Sequence, residues 1–582
     1  MRKRRPGPKD AVSGSTLNEE KEFYKMNVWQ AIIDALRAER VEYVFGLPGG
    51  DLFYDALYDV PEIETVLVRE ESSGPFMAMA YARLTGRPGV CYGSPGPGVA
   101  NLVPGVMEAH SACIPIIAIG SAAYLATTGM GAFQEVDQLS IMKPVTKWSE
   151  SITLAERVPW VMRRAFTLAA NGRPGPVFIE VPKDIGLLEF KGPEYIPSSY
   201  TQRFCGDPQD TEAAVDLLMK AKRPLMVAGG GAVSSRAFEE VRQFAELSNI
   251  PVMTTPCGRG IIPEDHPLAL GLVGLYFTEV GERVYGDADL LMTVGSRNED
   301  FQSGEQQFFP EGAKYIQIDI DPHEIGRNWI PDVAIVGDAK LVLKDLTSLL
   351  RNRLKEKTEG NARKDMLLKA KEEYEEKMKA ECLSDAVPIK TKRVIRELNE
   401  VFGKDTILVN ENGSQDLWSY YYPYYKVMDT NACVAPGEQT CMGLGVAGAI
   451  GAKLAMPEKK VVCVTGDGAF QMFMKELPTA VQHEAAVTYV VLNNFSLGWI
   501  KFNQKRRGER FIASDFKIQP DFVKVAEASK CYGERVERPG DIRSALERAL
   551  KVNLEGTPAV VEFIVDGWDF APGFKRFYER LG

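Results

Sequence analysis

Residues 461–470 read VVCVTGDGAF, an apolar run that ends in a Gly-Asp-Gly turn. An uninterrupted run such as VVCVT is typical of a buried strand in a parallel sheet. A helical pattern, AFQMFMKELPTAVQH, follows at once, and the next strand, TYVVLNN, ends in Asn493 and Asn494. One strand–helix–strand crossover therefore separates Asp467 from Asn494, and both lie where strands end.

Two interpretations of this turn are open. Gly and Asp suit tight turns, so GDG by itself indicates no more than an ordinary strand-to-helix turn. Alternatively, Gly466 and Gly468 let the backbone approach a ligand, and the helix that follows offers free N–H groups to an anion. A carboxylate and an amide oxygen, completed by phosphate oxygens, form the hard shell that Mg²⁺ prefers. The Asn pair at the next strand end favours the second interpretation, in which Asp467 and Asn494 clamp a diphosphate through a metal.

Length and composition are those of an ordinary multidomain protein. The chain has 582 residues, of which 45% are apolar and 25% charged, so several domains are expected. Its 69 basic and 79 acidic residues give a net charge of −10, which excludes a strong basic field for nucleic acid. No apolar run approaches the about 20 residues that span a bilayer, so no membrane partner is expected. Nine cysteines without a CxxC pair favour a reducing, cytoplasmic location.

Short apolar strands alternate with helical patterns, which predicts an α/β fold of three doubly wound parallel-sheet domains. The start of the chain carries basic residues without the apolar segment of a secretory signal, so a disordered tail is expected there. A duplicated unit is a further hypothesis, although no residue-level repeat is visible. The predicted segments are an N-terminal tail (1–25), a first domain (26–190), a central domain (205–355), a charged, solvated helical connector (356–385), a third domain (386–565) and a C-terminal tail (566–582).

The segment 466–494 resembles the GDG-to-NN signature of thiamine diphosphate enzymes. The similarity extends over about 26–565 and is closest to the acetohydroxyacid synthase (acetolactate synthase) large subunits. It implies a pyrimidine-binding first domain, a central domain and a diphosphate-binding third domain. It also implies thiamine diphosphate and Mg²⁺ as cofactors, with Asp467, Asn494 and the backbone carbonyl of Ser496 as metal ligands. The implied cofactor contacts of the third domain are Gly466, Asp467, Gly468, Ala469, Asn494 and Ser496.

In the first domain, VREESSGPFMAMAYARLTGRPGV resembles the family's stretch in which a strand-end Glu begins a helix. Alignment on the following MAxxYAR pattern identifies Glu71 as that residue and Glu70 as the variable position before it. The resemblance implies that the Glu71 carboxyl lies against the aminopyrimidine and promotes deprotonation of the cofactor. Outside this context, the two adjacent glutamates would be interpreted as a solvated pair. Pro48, Gly49 and Gly50 match the family's first turn and are further implied cofactor contacts.

Other positions match the family less specifically. Met442 stands where the family has a bulky apolar residue that supports a bent cofactor; a plain core residue is the alternative. Phe133, Gln134 and Lys183 match positions that line the family's substrate channel, and each is equally compatible with an ordinary turn. His110 precedes a predicted strand, where it either faces the cofactor or is a structural histidine.

The absence of one family motif limits the reactions to be considered. It has no adjacent His-His pair, the mark of the pyruvate-decarboxylase branch. This favours 2-oxoacid decarboxylation with carboligation, most specifically acetolactate formation from two pyruvates. In the biosynthetic synthases of this family a Trp nine positions after the NN pair favours 2-oxobutyrate as acceptor. Here Asn503 stands at that position and Trp499 replaces a family Met, so the acceptor is left open.

Three alternatives remain. The first is a related lyase or transferase that acts on another 2-oxoacid, an acyl-CoA or an aldehyde. The second is a flavin-dependent enzyme like pyruvate oxidase. The third is a non-catalytic relative, which the presence of Glu71, Asp467 and Asn494 disfavours.

FAD and the partners are also undecided by sequence. AGGGAVSS falls short of GxGxxG, and LVGLYFTEV lacks the family's Met-His-Gly, whereas Arg297 stands where the family has an FAD-contacting Arg. Glu71 and the GDG turn lie in different domains, which the family joins across a subunit interface. A homodimer or homotetramer is therefore expected, and a small regulatory subunit is a further candidate partner.

Overall fold

The computed structural model describes residues 26–198, 202–354 and 362–580. Within these ranges the chain forms three six-stranded sheets, and their strand pairs are parallel. The predicted α/β fold of three doubly wound parallel-sheet domains is confirmed. The predicted N-terminal tail and the first part of the connector lie outside the described residues. No helix in the described ranges combines the length and apolar character needed to cross a membrane.

The first sheet has the strand order β2-β1-β3-β4-β6-β5. Its strands are β1 (Tyr43–Gly46), β2 (Glu64–Leu67), β3 (Gly89–Gly93), β4 (Ile116–Ala122), β5 (Trp148–Ser151) and β6 (Val177–Pro182). Its helices are α1 (Val28–Ala38), α2 (Phe53–Ala56), α3 (Ser73–Thr85), α4 (Pro97–Ser111), α5 (Gln138–Met142), α6 (Val158–Ala170) and α7 (Lys183–Gly186). Helix α1 is capped by Asn27, whose side chain accepts from the Gln30 backbone N–H at 2.9 Å, as in a capping box.

The central sheet has the order β12-β11-β10-β7-β8-β9, which is that of dinucleotide-binding doubly wound folds. Its strands are β7 (Pro224–Ala228), β8 (Val252–Thr254), β9 (Ala269–Leu272), β10 (Leu290–Val294), β11 (Lys314–Asp319) and β12 (Val333–Val336). Its helices are α8 (Pro208–Lys220), α9 (Gly230–Ser234), α10 (Phe238–Ser248), α11 (Glu279–Gly286), α12 (Asp300–Ser303) and α13 (Ala339–Arg353).

The third sheet has the order β14-β13-β15-β16-β18-β17, which repeats the order of the first sheet position for position. Its strands are β13 (Thr406–Asn410), β14 (Cys433–Val434), β15 (Lys460–Gly466), β16 (Val487–Asn493), β17 (Tyr532–Val536) and β18 (Ala559–Ile564). The remaining helices are α14 (Ala362–Glu381), α15 (Thr391–Phe402), α16 (Leu444–Ala455), α17 (Asp467–Phe473), α18 (Leu477–Gln482), α19 (Gly498–Arg506), α20 (Phe522–Ala528), α21 (Ile542–Leu554) and α22 (Pro572–Arg580).

The charged connector is helical over α14, but it is not solvated on all sides. Leu367, Tyr374 and Met378 are buried, and they recur at helical spacing on one face. The Lys371 ammonium donates to the backbone carbonyls of Glu264 and His266 at 2.9 and 2.8 Å. The expectation of a solvated connector was wrong for this face, because the many charged neighbours mask a short apolar stripe.

The first and third domains of one chain pack through α3 and α16. Small residues allow the close approach: a Cβ on Gly451 would lie 2.2 Å from the Met77 carbonyl oxygen. The backbone N–H of Arg69 donates to both oxygens of the Glu476 carboxylate at 3.0 and 3.2 Å. These contacts fix how the carboxyl edge of the first sheet lies relative to the third domain of the same chain.

Candidate active site

A cavity of about 230 Å³ opens at the carboxyl edge of the third sheet. It lies over the ends of β13, β15 and β16, which are neighbours in the sheet. From β13 the chain continues to β14 on one side and later to β15 on the other, and ligands of open α/β sheets bind at such a switch point. The lining residues are Asn412, Gly413, Ser414, Gln415, Thr440, Met442, Gly466, Asp467, Gly468, Ala469, Leu492, Asn494, Ser496, Leu497, Gly498, Trp499 and Ile500.

Asp467 is the first residue of α17, and only 2% of it is exposed. Strand β15 runs directly into this helix through Gly466, whose backbone is extended. Burial raises the pKa of Asp467 to about 7, because the ionised form loses hydration. The Gln519 side-chain amide donates to Asp467 Oδ2 at 2.5 Å. A cation beside this carboxyl would favour its ionised form, so the group suits a metal ligand.

Asn494 lies in the turn that follows β16. Its Oδ1 accepts from the backbone N–H of Ser496 at 3.1 Å, which closes the turn over the cavity. Glycine is required just beyond, because a Cβ on Gly498 would lie 2.1 Å from Ser414 Oγ and 2.8 Å from Asn494 Nδ2. The turn therefore holds the amide group in place.

The donor set fits a metal only together with a ligand. Within the described ranges, no group of three His, Cys, Asp or Glu side chains could hold a metal ion. The predicted set of one carboxylate, one amide oxygen and one backbone carbonyl needs further oxygens, which a bound diphosphate and water would supply. Gly466 and Gly468 line the same cavity and leave space for such a group. These residues therefore fit thiamine diphosphate with Mg²⁺.

Sequence reasoning missed Gln519, which connects the two turns. Its Oε1 accepts from Asn493 Nδ2 at 3.0 Å, while its amide nitrogen donates to Asp467. Asn493 also donates to Glu562 Oε1 at 2.7 Å, and Glu562 pairs with Arg535 at 2.8 Å. Gln519 lies in a loop between α19 and α20, where no local pattern distinguishes it.

Sequence reasoning also missed the loop after β13, although a signal was present. Glu411 directly follows that strand, and its carboxylate accepts from the backbone N–H groups of Gly443 and Gly445 at 3.0 and 3.1 Å. Burial, followed by the charge of Asp416, raises the pKa of Glu411 to about 8. The polar run ENGSQD directly after TILVN would have been found by the strand-end argument that identified the GDG turn. Met442 adjoins this bonded turn and is 37% exposed at the cavity wall.

Glu71 lies elsewhere, at the carboxyl edge of the first sheet between β2 and α3. It is buried, and Asn101 Nδ2 donates to its Oε2 at 3.1 Å. Its Oε1 lies beside Gly98, where a Cβ would come within 3.2 Å. Glu71 does not line the third-domain cavity of its own chain.

The neighbouring Glu70 makes entirely different contacts. Lys475 Nζ donates to its Oε2 at 3.0 Å, and the Ser72 backbone N–H donates to its Oε1 at 3.1 Å. Although burial opposes ionisation, the hydrogen bonds from Ser72 and Lys475 lower the pKa of Glu70 below its ordinary value. Glu70 thus ties the first domain to the third, whereas Glu71 remains at the sheet edge.

The other first-domain candidates also lie outside the third-domain cavity. The turn of Pro48, Gly49 and Gly50 directly follows β1 on the same edge as Glu71. Phe133 is 80% exposed, and Gln134 has a φ of 61° in the loop after β4. Lys183 is the first residue of α7, directly after β6.

Of the two predicted substrate residues on α19, only one lines the cavity. Trp499 lines the cavity and lies in the first turn of the helix. Asn503 lies one turn further along and is absent from the cavity lining. The structure therefore brings together the third-domain candidates Met442, Gly466, Asp467, Gly468, Ala469, Asn494, Ser496 and Trp499.

The central domain has small clefts near the positions that left FAD open in the sequence. Two adjoining clefts of about 70 and 60 Å³ lie at the carboxyl ends of β7, β10 and β11, and both are smaller than the third-domain cavity of about 230 Å³. The guanidinium of Arg297 pairs with Glu299 at 2.5 Å and donates to the Ser111 carbonyl.

His110, on α4 of the first domain, lies outside the third-domain cavity. Burial and the neighbouring Arg173 and Arg297 lower its pKa.

Comparison with known proteins agrees with this architecture. Residues 26–141, 211–346 and 411–563 match, in turn, the N-terminal TPP binding, central and C-terminal TPP binding domains of the thiamine pyrophosphate (thiamine diphosphate) enzymes. A probable acetolactate synthase large subunit of Methanococcus aeolicus is 38% identical over 93% of this chain and 92% of its own. The protein of the same name from Methanocaldococcus jannaschii is 36% identical over 93% and 92%. The acetolactate synthase isozyme 3 large subunit of Escherichia coli is 33% identical over 92% and 94%. The chain belongs to the thiamine pyrophosphate enzyme family and, within it, to the family of acetolactate synthase large subunits.

Proposed function

We propose that this chain is the catalytic subunit of an acetolactate synthase that uses thiamine diphosphate and Mg²⁺. Two pyruvates and one proton would give one acetolactate and one CO₂. The observation that carries the proposal is the meeting of Asp467 and Asn494 at one cavity over adjacent strand ends. The names of the relatives support acetolactate as the product and do not favour an enzyme like pyruvate oxidase.

In this proposal the third domain holds the diphosphate end of the cofactor. Asp467, the amide oxygen of Asn494 and the backbone carbonyl of Ser496 bind Mg²⁺, and Met442 supports the cofactor from the cavity wall. When bound, thiamine diphosphate supplies the nucleophilic carbon and the electron sink for the carbon left after CO₂ loss. The chain's own contribution is to hold the cofactor and the substrate together in one cavity, which lowers the entropic cost of reaction.

Glu71 has the proton-handling role in the proposal. Asn101 donates to one carboxyl oxygen, which orients the group without neutralising it. The other oxygen lies beside Gly98, where the absence of a side chain leaves room for it. A carboxyl held in this way can keep and return a proton at the aminopyrimidine end of the cofactor.

We further propose that two copies of the chain complete each site. Exposed apolar residues support this, since they occur both on the first-domain loop and on α19 with the loop that follows it. Met130 and Phe133 are 77% and 80% exposed, and Ile500 and Ile512 are 48% and 76% exposed. A symmetric dimer would cover both groups and bring Glu71 of the partner subunit to the cavity.

The finer assignments are proposals as well. Phe133, Gln134, Lys183, Trp499 and Asn503 are proposed to contact the substrates, with Trp499 and Asn503 setting the acceptor. The name large subunit, carried by the relatives, supports a small regulatory subunit as partner. A cytoplasmic location and a homodimer or homotetramer complete the proposal, and FAD is left out of it because the central clefts are small.

Mass spectrometry of the products tests the function directly. The purified chain is incubated with pyruvate, thiamine diphosphate and Mg²⁺, with a reaction lacking the cofactor as control. We expect acetolactate and CO₂ in equal amounts. If pyruvate is not consumed, the substrate is wrong, and other 2-oxoacids, acyl-CoAs and aldehydes are tested with the same protein.

A further inference from the structure

The C-terminal helix α22 lies between the cavity wall and the central domain. On one side, the ring of Phe574 packs edge-on against the indole of Trp499, with centroids 4.8 Å apart. On the other side, Phe577 packs against Phe308 of the central domain, with centroids 5.6 Å apart. The helix therefore backs the part of α19 that lines the cavity.

One residue of α22 contacts both ends of α19. The indole Nε1 of Trp499 donates to the Tyr578 hydroxyl at 3.0 Å. At the far end, Arg506 Nη2 donates to the Tyr578 carbonyl at 3.2 Å, and its guanidinium carbon lies 4.7 Å from the Tyr578 ring centroid. A partly buried indole N–H needs such an acceptor, so Tyr578 favours one orientation of Trp499.

Helix α22 is itself anchored to the central domain. Arg576 Nη2 donates to the Phe277 carbonyl at 2.8 Å, and its Nε lies 3.5 Å from Glu282 Oε2. Phe301 of the central domain also packs against Trp499, with ring centroids 5.7 Å apart. The indole is therefore held from two directions and cannot shift without loss of these contacts.

We propose that Tyr578 is a positioning residue that holds the Trp499 indole at the cavity wall and so limits the size of the acceptor. The inference rests on the proposed function, since it concerns the second carbonyl compound of that reaction. Trp499 is a bulky apolar residue among the cavity-lining residues Leu497 and Ile500. A small displacement of its indole would change the space open to an added methylene group.

The test is Tyr578→Phe, which removes the hydroxyl but keeps the ring packing. Wild-type and variant proteins are given pyruvate and 2-oxobutyrate in competition, and the ratio of 2-aceto-2-hydroxybutyrate to acetolactate is measured. We expect the ratio to rise by up to about tenfold, the lower end of the range over which pockets discriminate one methylene, with thiamine diphosphate retention unchanged. Tyr532→Phe, which removes a hydroxyl bonded to Glu534 away from α19, is the matched control and should leave the ratio unchanged.

A second readout is independent of activity. The difference in indole emission between each protein and its Trp499→Phe counterpart isolates Trp499 from the other tryptophans. We expect this difference spectrum to shift in Tyr578→Phe and not in Tyr532→Phe. The product ratios of Trp499→Phe with and without Tyr578→Phe should be equal, because coupled residues are not additive.

Unchanged emission and an unchanged product ratio in Tyr578→Phe would overturn the inference, as would additive effects in the double variant. A wild-type chain that consumes no pyruvate would overturn the proposed function and the acceptor role with it. The emission spectra would then decide separately whether Tyr578 holds the indole.

Discussion

The first and third sheets share one strand order but carry different chemistry at their carboxyl edges. In the third sheet, glycine-rich turns bring Asp467 and Asn494 to one cavity. In the first sheet, the loop after β2 places a buried carboxyl group, that of Glu71, where Asn101 donates a hydrogen bond to it. The comparison teaches that the sheet supplies a common frame and that the strand-end loops decide the chemistry. The shared order also supports the hypothesis of a duplicated unit.

The largest effect is expected when the third-sheet edge loses its carboxylate. Asp467→Ala removes the charged metal ligand, so the chain should not retain thiamine diphosphate or Mg²⁺ after gel filtration and should have no measurable turnover. Asp515→Ala is the control, because this aspartate is partly exposed and its side chain pairs with Lys501 on the same domain. Tight retention of the cofactor by Asp467→Ala would place the diphosphate elsewhere.

A substitution at the first-sheet edge should reduce turnover without loss of the cofactor. Glu71→Gln keeps the shape and the Asn101 neighbour but cannot exchange a proton, so we expect full cofactor retention and a loss in kcat of about 10²–10⁴-fold. Cofactor content and kcat are measured on the same preparation. The adjacent Glu70→Gln, which only weakens the link to Lys475, should stay near wild-type activity. If the two variants behaved alike, the assignment of Glu71 would be lost.

Gln519 tests how far the third-sheet edge depends on its supporting contacts. Gln519→Leu removes the amide that joins Asp467 to Asn493, so the Asp467 carboxylate loses its orientation. We expect an apparent Mg²⁺ affinity lower by about tenfold or more, with kcat at saturating Mg²⁺ largely restored. Titration of activity with Mg²⁺ measures both. An unchanged titration curve would show that the bridge has no part in metal binding.

Purified heterodimers test whether the two edges meet across subunits. Glu71→Gln and Asp467→Ala chains, each with its own affinity tag, are co-expressed and purified through both tags. A cross-subunit site leaves one of the two sites intact, so about half of the wild-type activity is expected. A wild-type chain paired with the doubly substituted chain should be inactive. The opposite pattern would place each site within one chain.

The predicted strands show where sequence reasoning succeeds. The central strands β15 and β16 are buried along nearly their whole length, so their apolar runs are visible in the sequence. The strands β5, β9, β12, β14 and β17 are not predicted from the sequence, and all five lie at sheet edges. Every residue of β5 is only half-buried, and β14 has two residues. An edge strand is paired on one side only, so less apolar character is required of it.

The sequence by itself determined the fold class, the family and the turns that carry Asp467 and Asn494. These features are local, because a strand period, a glycine turn and the position of a strand end can all be seen within a short segment. Tertiary structure decided which residues support them. Gln519 meets Asp467 across 52 positions, and Tyr578 meets Trp499 across 79. It also separated Glu70 from Glu71, since only the packing of the first domain on the third gives Glu70 its Lys475 partner. Contacts between distant segments depend on how helices and sheets pack, and local spacing carries no record of that packing.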